Sequence, residues 1–121
     1  MDPQTFGSAM GQIVWLMTMS EAHRDLPIHE IEHRVSTPIL LRQFKLYSKG
    51  NQPVAYLAWA LVTDDVKARF DAGDRTLELK DWRAGQNLII VDCVSPFAPR
   101  ETIEAQFLEN AVSRPPQREE E

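Results

Sequence analysis

Apolar residues recur at helical spacing in "FGSAMGQIVWLMTMS", where Met10, Ile13, Val14 and Met17 fall on one stripe and predict a first helix. The stretch "SEAHRDLP" interrupts that period and reads as a turn. A second helix is expected next, with Asp25 as its cap, Pro27 in its first turn, and Ile28, Ile31, Val35 and Ile39 as its buried stripe. Pro38 is expected to kink or end it, because proline has no N–H to give the helical ladder. The pattern then turns β-rich. "RQFKLYSK" and "VAYLAWALVT" flank "GNQP" and predict a β-hairpin around a Gly-Asn turn. "DDVKARFDAG" predicts a short helix capped by Asp64 or Asp65 and ended near Gly73, and "TLELKDW" a further strand. "NLIIVDCV" is apolar at nearly every position, as in an inner strand covered on both faces. "PRETIEAQFLENAV" returns to helix, with Ile103, Phe107 and Leu108 on one side. Helices and strands in this order predict one α+β domain over 1–112, followed by a disordered acidic tail, "SRPPQREEE", over 113–121.

Composition narrows the class. An apolar share of 43% over 121 residues supports a packed core. A net charge of −5 speaks against nonspecific nucleic-acid binding, which runs on excess Lys and Arg. The single cysteine, Cys93, can form no internal disulfide, which fits a reducing compartment. The opening "MDPQTFGSAM" lacks a signal-peptide pattern, and apolar runs such as "VAYLAWALV" fall far short of the ~20 residues of a membrane span. These features predict a cytoplasmic globular protein with no membrane span.

The candidate chemistry is concentrated. All 3 histidines, His23, His29 and His33, lie in one short segment. His29-Glu30-Ile31-Glu32-His33 matches H-E-x-x-H, which on a helix can present two imidazoles to a zinc ion and a glutamate to its bound water. A catalytic zinc also needs a third protein ligand, and no histidine follows His33. The competing reading is a solvated helix face with Ile28, Ile31 and Val35 packed inward, and no metal is assigned. The other constellation is His23 with Asp92. Asp92 sits inside the most apolar strand, where alternation puts it on a face with Leu88, Ile90 and Val94. A carboxylate there needs a hydrogen-bonding or charged partner, and the turn around His23 is a source for one. An imidazole oriented by a buried carboxylate is a general-base arrangement.

From His33 through Thr63 there is no acidic residue, while Arg34, Arg42, Lys45 and Lys49 fall inside that window. A locally basic face on an acidic protein suits an acidic partner, and outward alternation of strand lysines is the plain alternative.

Three segments, "GQIVWLMTMSEAHRDLP", "QPVAYLAWALV" and "DWRAGQNLIIVDCVSPFA", together resemble the toxin-activating lysine acyltransferases associated with RTX toxins. The S-x-x-H-R motif falls on Ser20, His23 and Arg24, with Trp15 before it and Pro27 after it. The P-V-A-Y-x-x-W-A segment is matched by Pro53 through Ala60. The W-x-[SA]-G motif, apolar strand, D and P-F are matched by Trp82, Gly85, Asp92, Pro96 and Phe97. Cys93 and Ala98 depart from the pattern, standing where a tryptophan and a glycine are expected, and the chain ends earlier than relatives do.

The resemblance implies a GNAT-like fold, C-terminally shortened, with a mixed or antiparallel sheet flanked by helices. It implies transfer of a fatty acyl group from an acyl carrier protein thioester to an internal lysine of an RTX-type protoxin, with no bound cofactor. The family's catalytic histidine and aspartate land on His23 and Asp92. Ser20 would position the imidazole or a reacting oxygen, and a transient acyl group on Ser20 or on His23 is the alternative to direct transfer. Arg24 and Trp59, in matched segments, are assigned with Arg42 and Lys45 to substrate or carrier binding. A shortened sheet would leave an exposed edge, so a homodimer is expected. A non-catalytic relative that binds carrier or toxin, and less so the zinc hydrolase, stay open beside the enzyme.

Overall fold

Asp2 stands in extended backbone and accepts the Thr5 N–H at 2.8 Å, so the first helix, α1, starts at Pro3 and runs Pro3–Thr18 in the computed structural model, which describes residues 2–113. Ala9, Ile13, Leu16 and Met17 are its buried face. A run of turns follows, and helix resumes at residue 30. Ile28 lies before that helix at 88% exposure, so the expected inward stripe begins with Ile31 and is completed by the fully buried Val35 and Ile39. Asp25 does not cap this helix, because turns separate the two.

Pro38 neither ends nor simply kinks the second helix. The backbone widens into a π-turn over Glu32–Ser36 and continues as α2, Thr37–Leu41. Pro38 cannot donate to the carbonyl of Arg34 one turn earlier, and the hydroxyl of Tyr56 donates to it instead at 2.6 Å. The Thr37 side chain likewise donates to the Glu32 carbonyl at 3.0 Å. Arg42, in left-handed backbone at φ 59°, closes the helix.

The hairpin forms as expected: β1, Phe44–Lys49, and β2, Gln52–Val62, are antiparallel around Gly50, whose φ of 63° suits glycine. Thr63, rather than Asp64 or Asp65, caps α3, Asp64–Asp71, by accepting the Val66 N–H. The "TLELKDW" stretch is not a strand. It ends in a 3₁₀ turn, Leu79–Arg83, whose Glu78–Asp81 capping box satisfies its first donors locally. Gly85 then lies against the end of β2, where a Cβ would meet the Val62 carbonyl oxygen at 2.2 Å. That contact gives the glycine of the W-x-[SA]-G motif its physical reason.

The last strand, β3, Asn87–Val94, pairs antiparallel with β2, so the sheet order is β1-β2-β3. β2 is therefore the inner strand and β3 an edge, contrary to the apolar pattern's suggestion. β3 is nevertheless covered: α1 and the second helix lie over one face, and α4, Arg100–Ser113, lies over the other through Phe107. The α+β class holds, with the sheet wholly antiparallel. Residues 114–121, most of the expected tail, lie outside the described residues.

A register shift opposite Ala58 and Trp59 leaves Val91 as an extra residue on β3. Asp92 and Val94 face α1, whereas Leu88 and Ile90 pack on the opposite face with Leu57, Trp59 and Cys93. Simple alternation had put all four together, and the bulge separates them. Gln43 pins this region. Its buried amide donates to the carbonyls of Trp59 at 3.1 Å and Trp82 at 3.0 Å, and accepts from Arg83 Nε at 2.6 Å.

Candidate active site

The turn after α1 is built on one carbonyl. The Ser20 C=O accepts the N–H of His23 at 3.0 Å and of Arg24 at 2.8 Å, which brings side chains three apart to the same side. Ser20 Oγ lies 2.6 Å from His23 Nδ1, and His23 Nε2 lies 2.8 Å from Asp92 Oδ1. Ser20, His23 and Asp92 are all buried, at 9%, 5% and 5% exposure. The partners of the ring fix which nitrogen carries the proton. An ionised Asp92 can only accept, so Nε2 carries the proton and Nδ1 presents its lone pair to the Ser20 hydroxyl.

Asp92 has further partners. Its Oδ1 also accepts the Cys93 N–H at 2.9 Å, and its Oδ2 accepts from Arg34 Nη1 at 3.2 Å. Burial pushes this carboxyl up, but the hydrogen bond and charge of His23, then those of Arg34, outweigh it and hold Asp92 below the usual aspartate range. Arg34 is steadied from its other side by Glu30, whose Oε1 accepts from Nε at 3.1 Å. The Tyr56 phenol, buried nearby, is pushed well above its ordinary value by burial and then by the Asp92 charge, so it remains a hydrogen-bond donor.

The other sequence-predicted residues lie elsewhere. Arg24 is exposed on the turn beside His23, and Arg42 is half-buried at the end of α2. Lys45 is exposed on β1 opposite Leu57, and Trp59 is buried against Phe107 with ring centroids 5.2 Å apart, both on the sheet face away from Asp92. Trp15 and Phe97, from two matched segments, pair at 6.4 Å and are both partly exposed. His29 and His33 are exposed, and Glu30, the glutamate of H-E-x-x-H, is engaged with Arg34. Among the described residues, no group of three His, Cys, Asp or Glu side chains is arranged to hold a metal ion. Arg34, Tyr56 and Gln43 are site or support residues that sequence reasoning missed. Pro38, by removing a donor from the Arg34 carbonyl, was the signal for Tyr56.

Over residues 2–118 the sequence matches the model of the RTX toxin acyltransferase family. The chain belongs to that family. Its similarity extends to the protein-lysine palmitoyltransferase CyaC of Bordetella bronchiseptica, 34% identical over 98 residues, covering 81% of this chain and 53% of that protein. The RTX-II toxin-activating lysine-acyltransferase ApxIIC of Actinobacillus pleuropneumoniae is 32% identical over 90 residues, 74% of this chain and 56% of its own. The protein-lysine myristoyltransferase HlyC of Escherichia coli is 28% identical over 88 residues, 73% and 51% respectively. The chain thus spans about half the length of the curated relatives it matches. No helix among the described residues is long and apolar enough to cross a membrane.

Proposed function

We propose that this protein takes part in fatty acyl transfer from an acyl carrier protein thioester to a lysine of an RTX-type protoxin, with His23 as general base. The observation that carries the reading is the buried line Ser20–His23–Asp92, with contacts of 2.6 and 2.8 Å. Family membership supplies the reaction class, and the names of the relatives supply lysine as acceptor and a toxin as its bearer. A GNAT-like frame and an acyl carrier donor belong to the same proposal.

The chemistry follows from the needs of the acceptor. A lysine ε-amine is protonated near neutral pH and attacks a thioester only after losing its proton. One proton leaves the ammonium to solvent, and as the neutral amine attacks, the Nδ1 lone pair of His23 takes a second once the Ser20 hydroxyl has turned aside, while Asp92 steadies the imidazolium that forms. The C–N bond forms as the C–S bond breaks, and the imidazolium returns its proton to the departing thiolate. The 2.6 Å Ser20 contact favours a second route, in which Oγ attacks the thioester first and gives its proton to Nδ1, the C–S bond breaks as that proton passes to the departing thiolate, and Oγ holds the acyl group as an ester until the amine arrives.

The test incubates the full chain with an acyl carrier protein bearing a fatty thioester and a candidate toxin fragment, followed by intact mass. The fragment is expected to gain one acyl mass, with the gain lost in His23→Ala and Asp92→Asn. An acyl mass trapped on the enzyme without acceptor would select the ester route. Binding of carrier or toxin with no mass gain would instead favour the non-catalytic relative. Charge reversal at Arg42 and Lys45 is expected to weaken carrier binding in a salt-sensitive way. We also propose a homodimer, supported by the open sheet edges at β1 and β3 among the described residues, with sedimentation equilibrium as its test.

A further inference from the structure

We infer that Arg34 is a positioning residue that keeps Asp92 an anion while His23 is neutral, so that the carboxylate still orients the ring at the moment it must act as a base. The inference rests on the acyl-transfer reading for its catalytic meaning, but its physical content stands in the free protein.

The need arises from where the charges lie. A general base starts neutral, and with a neutral His23 the buried Asp92 has only uncharged donors on Oδ1, the ring N–H and the Cys93 amide. A buried carboxylate without a countercharge tends to take up a proton instead. A protonated Asp92 could donate to Nε2, and the ring would then carry its proton on Nδ1, removing the lone pair that faces Ser20. Arg34 breaks that sequence. Guanidinium is charged at every working pH, and Nη1 donates to Oδ2 at 3.2 Å, the oxygen that His23 leaves free.

The placement of Arg34 is itself built. Glu30 Oε1 holds Nε at 3.1 Å, and Tyr56, fully buried on β2, fixes the Arg34 carbonyl at 2.6 Å within the π-turn. Titratable and charged groups reach Asp92 from every packed element. They are His23 from the turn, Arg34 from the helix with Glu30 on its other side, Tyr56 from β2, and Cys93 and Arg100 from the other side of the sheet. Of these, Arg34 alone is a cation bonded directly to the carboxylate among the described contacts.

The experiment reads the Asp92 carboxyl directly, by carbon NMR of protein labelled at aspartate Cγ and assigned with Asp92→Asn. The wild type is expected to keep Asp92 ionised down to the lowest pH at which it stays folded. Arg34→Gln is expected to raise the midpoint by about one to three pH units, the usual influence of a neighbouring arginine. Arg34→Lys keeps a cation at the same place and is expected to hold Asp92 ionised. Glu30→Gln, which loosens the guanidinium but leaves its charge, is expected to do the same. An unchanged carboxyl in folded Arg34→Gln overturns the inference. So does an equal rise in Glu30→Gln or, should the glutamine variant not fold, a rise in Arg34→Lys. In acyl transfer, Arg34→Gln is expected to move the acid limb of kcat/KM to higher pH, with Arg34→Lys restoring it. A wild type that transfers no acyl group, with the carboxyl titration behaving as stated, would sink the proposed function and leave the role of Arg34 intact.

Discussion

Asp92 and Cys93 are neighbours on one strand, yet they live in opposite electrical worlds. The face under α1 gives Asp92 a histidine, an arginine and an amide N–H, and its carboxyl is held low. The face under α4 surrounds Cys93 with Leu57, Trp59 and Phe107, and burial, followed by the charge of Glu104, pushes its thiol up to about 11. Both side chains are almost wholly buried. Depth alone therefore decides nothing about charge; the partners brought in from other elements do. On the α1 face the polar atoms of the site are matched one to another, whereas on the α4 face the Tyr47 hydroxyl is buried among the described residues without a hydrogen-bond partner.

The contrast can be broken most forcefully at the α1 face. Asp92→Asn and His23→Ala are each expected to lower acyl transfer by about 10³ to 10⁴ while the protein stays folded, as measured by single-turnover intact mass. Across the sheet, Phe107→Ala is expected to destabilise the fold by about 3–5 kcal/mol in urea unfolding, with the transfer rate of the folded fraction kept. A rate loss as deep as that of His23→Ala would show that the two faces are not separate in role.

A smaller effect tests the charge itself. Asp92 titrates lower when folded than in the unfolded chain, where aspartate sits near ~3.9. Its ionisation thus stabilises the fold fully above that unfolded value, and the contribution drains away as pH falls through the folded one. The stability gap between wild type and Asp92→Asn, read from urea midpoints, is expected to be constant near neutrality and to narrow below about pH 4. A gap that widens there would reverse the assigned direction. Smallest of all should be the response at the other neighbour. Native Cys93 is expected to resist iodoacetamide at pH 7.5, and Cys93→Ala to leave transfer within about twofold, as suits a packed thiol rather than a nucleophile.

How far the sequence carried the reading depends on the range of the forces involved. Periodicity located α1, the hairpin, β3 and α4, because each follows from local burial patterns. The pairing of His23 with Asp92 was suggested by a buried carboxylate's need for a partner, but only the family resemblance singled it out, and Ser20 came from that resemblance alone. Strand order was not legible, since β3 is as apolar as an inner strand but owes its cover to helices on both sides. The bulge at Val91 was equally silent, and it moved Leu88 and Ile90 to the far face. Arg34 looked like one charge on a wet helix because its target is 58 residues away in sequence. Glu78 and Asp81 satisfied one another locally, which turned a strand-like pattern into a 3₁₀ turn.

The wide turn at Glu32–Ser36 holds one residue more than a regular helical coil needs, so it works as a phase adjuster. Deleting a single residue there would let the coil tighten to regular helix with little rotation of what precedes it, because the wide turn and a regular turn one residue shorter sweep nearly the same angle. The cost would fall on Pro38, whose ring would close on the carbonyl four residues earlier and crowd the place where the Tyr56 hydroxyl now meets the Arg34 carbonyl. Length in this short segment should therefore be limited by the proline rather than by phase, and a one-residue deletion between residues 32 and 36 should be better tolerated alongside Pro38→Ala than with Pro38 in place.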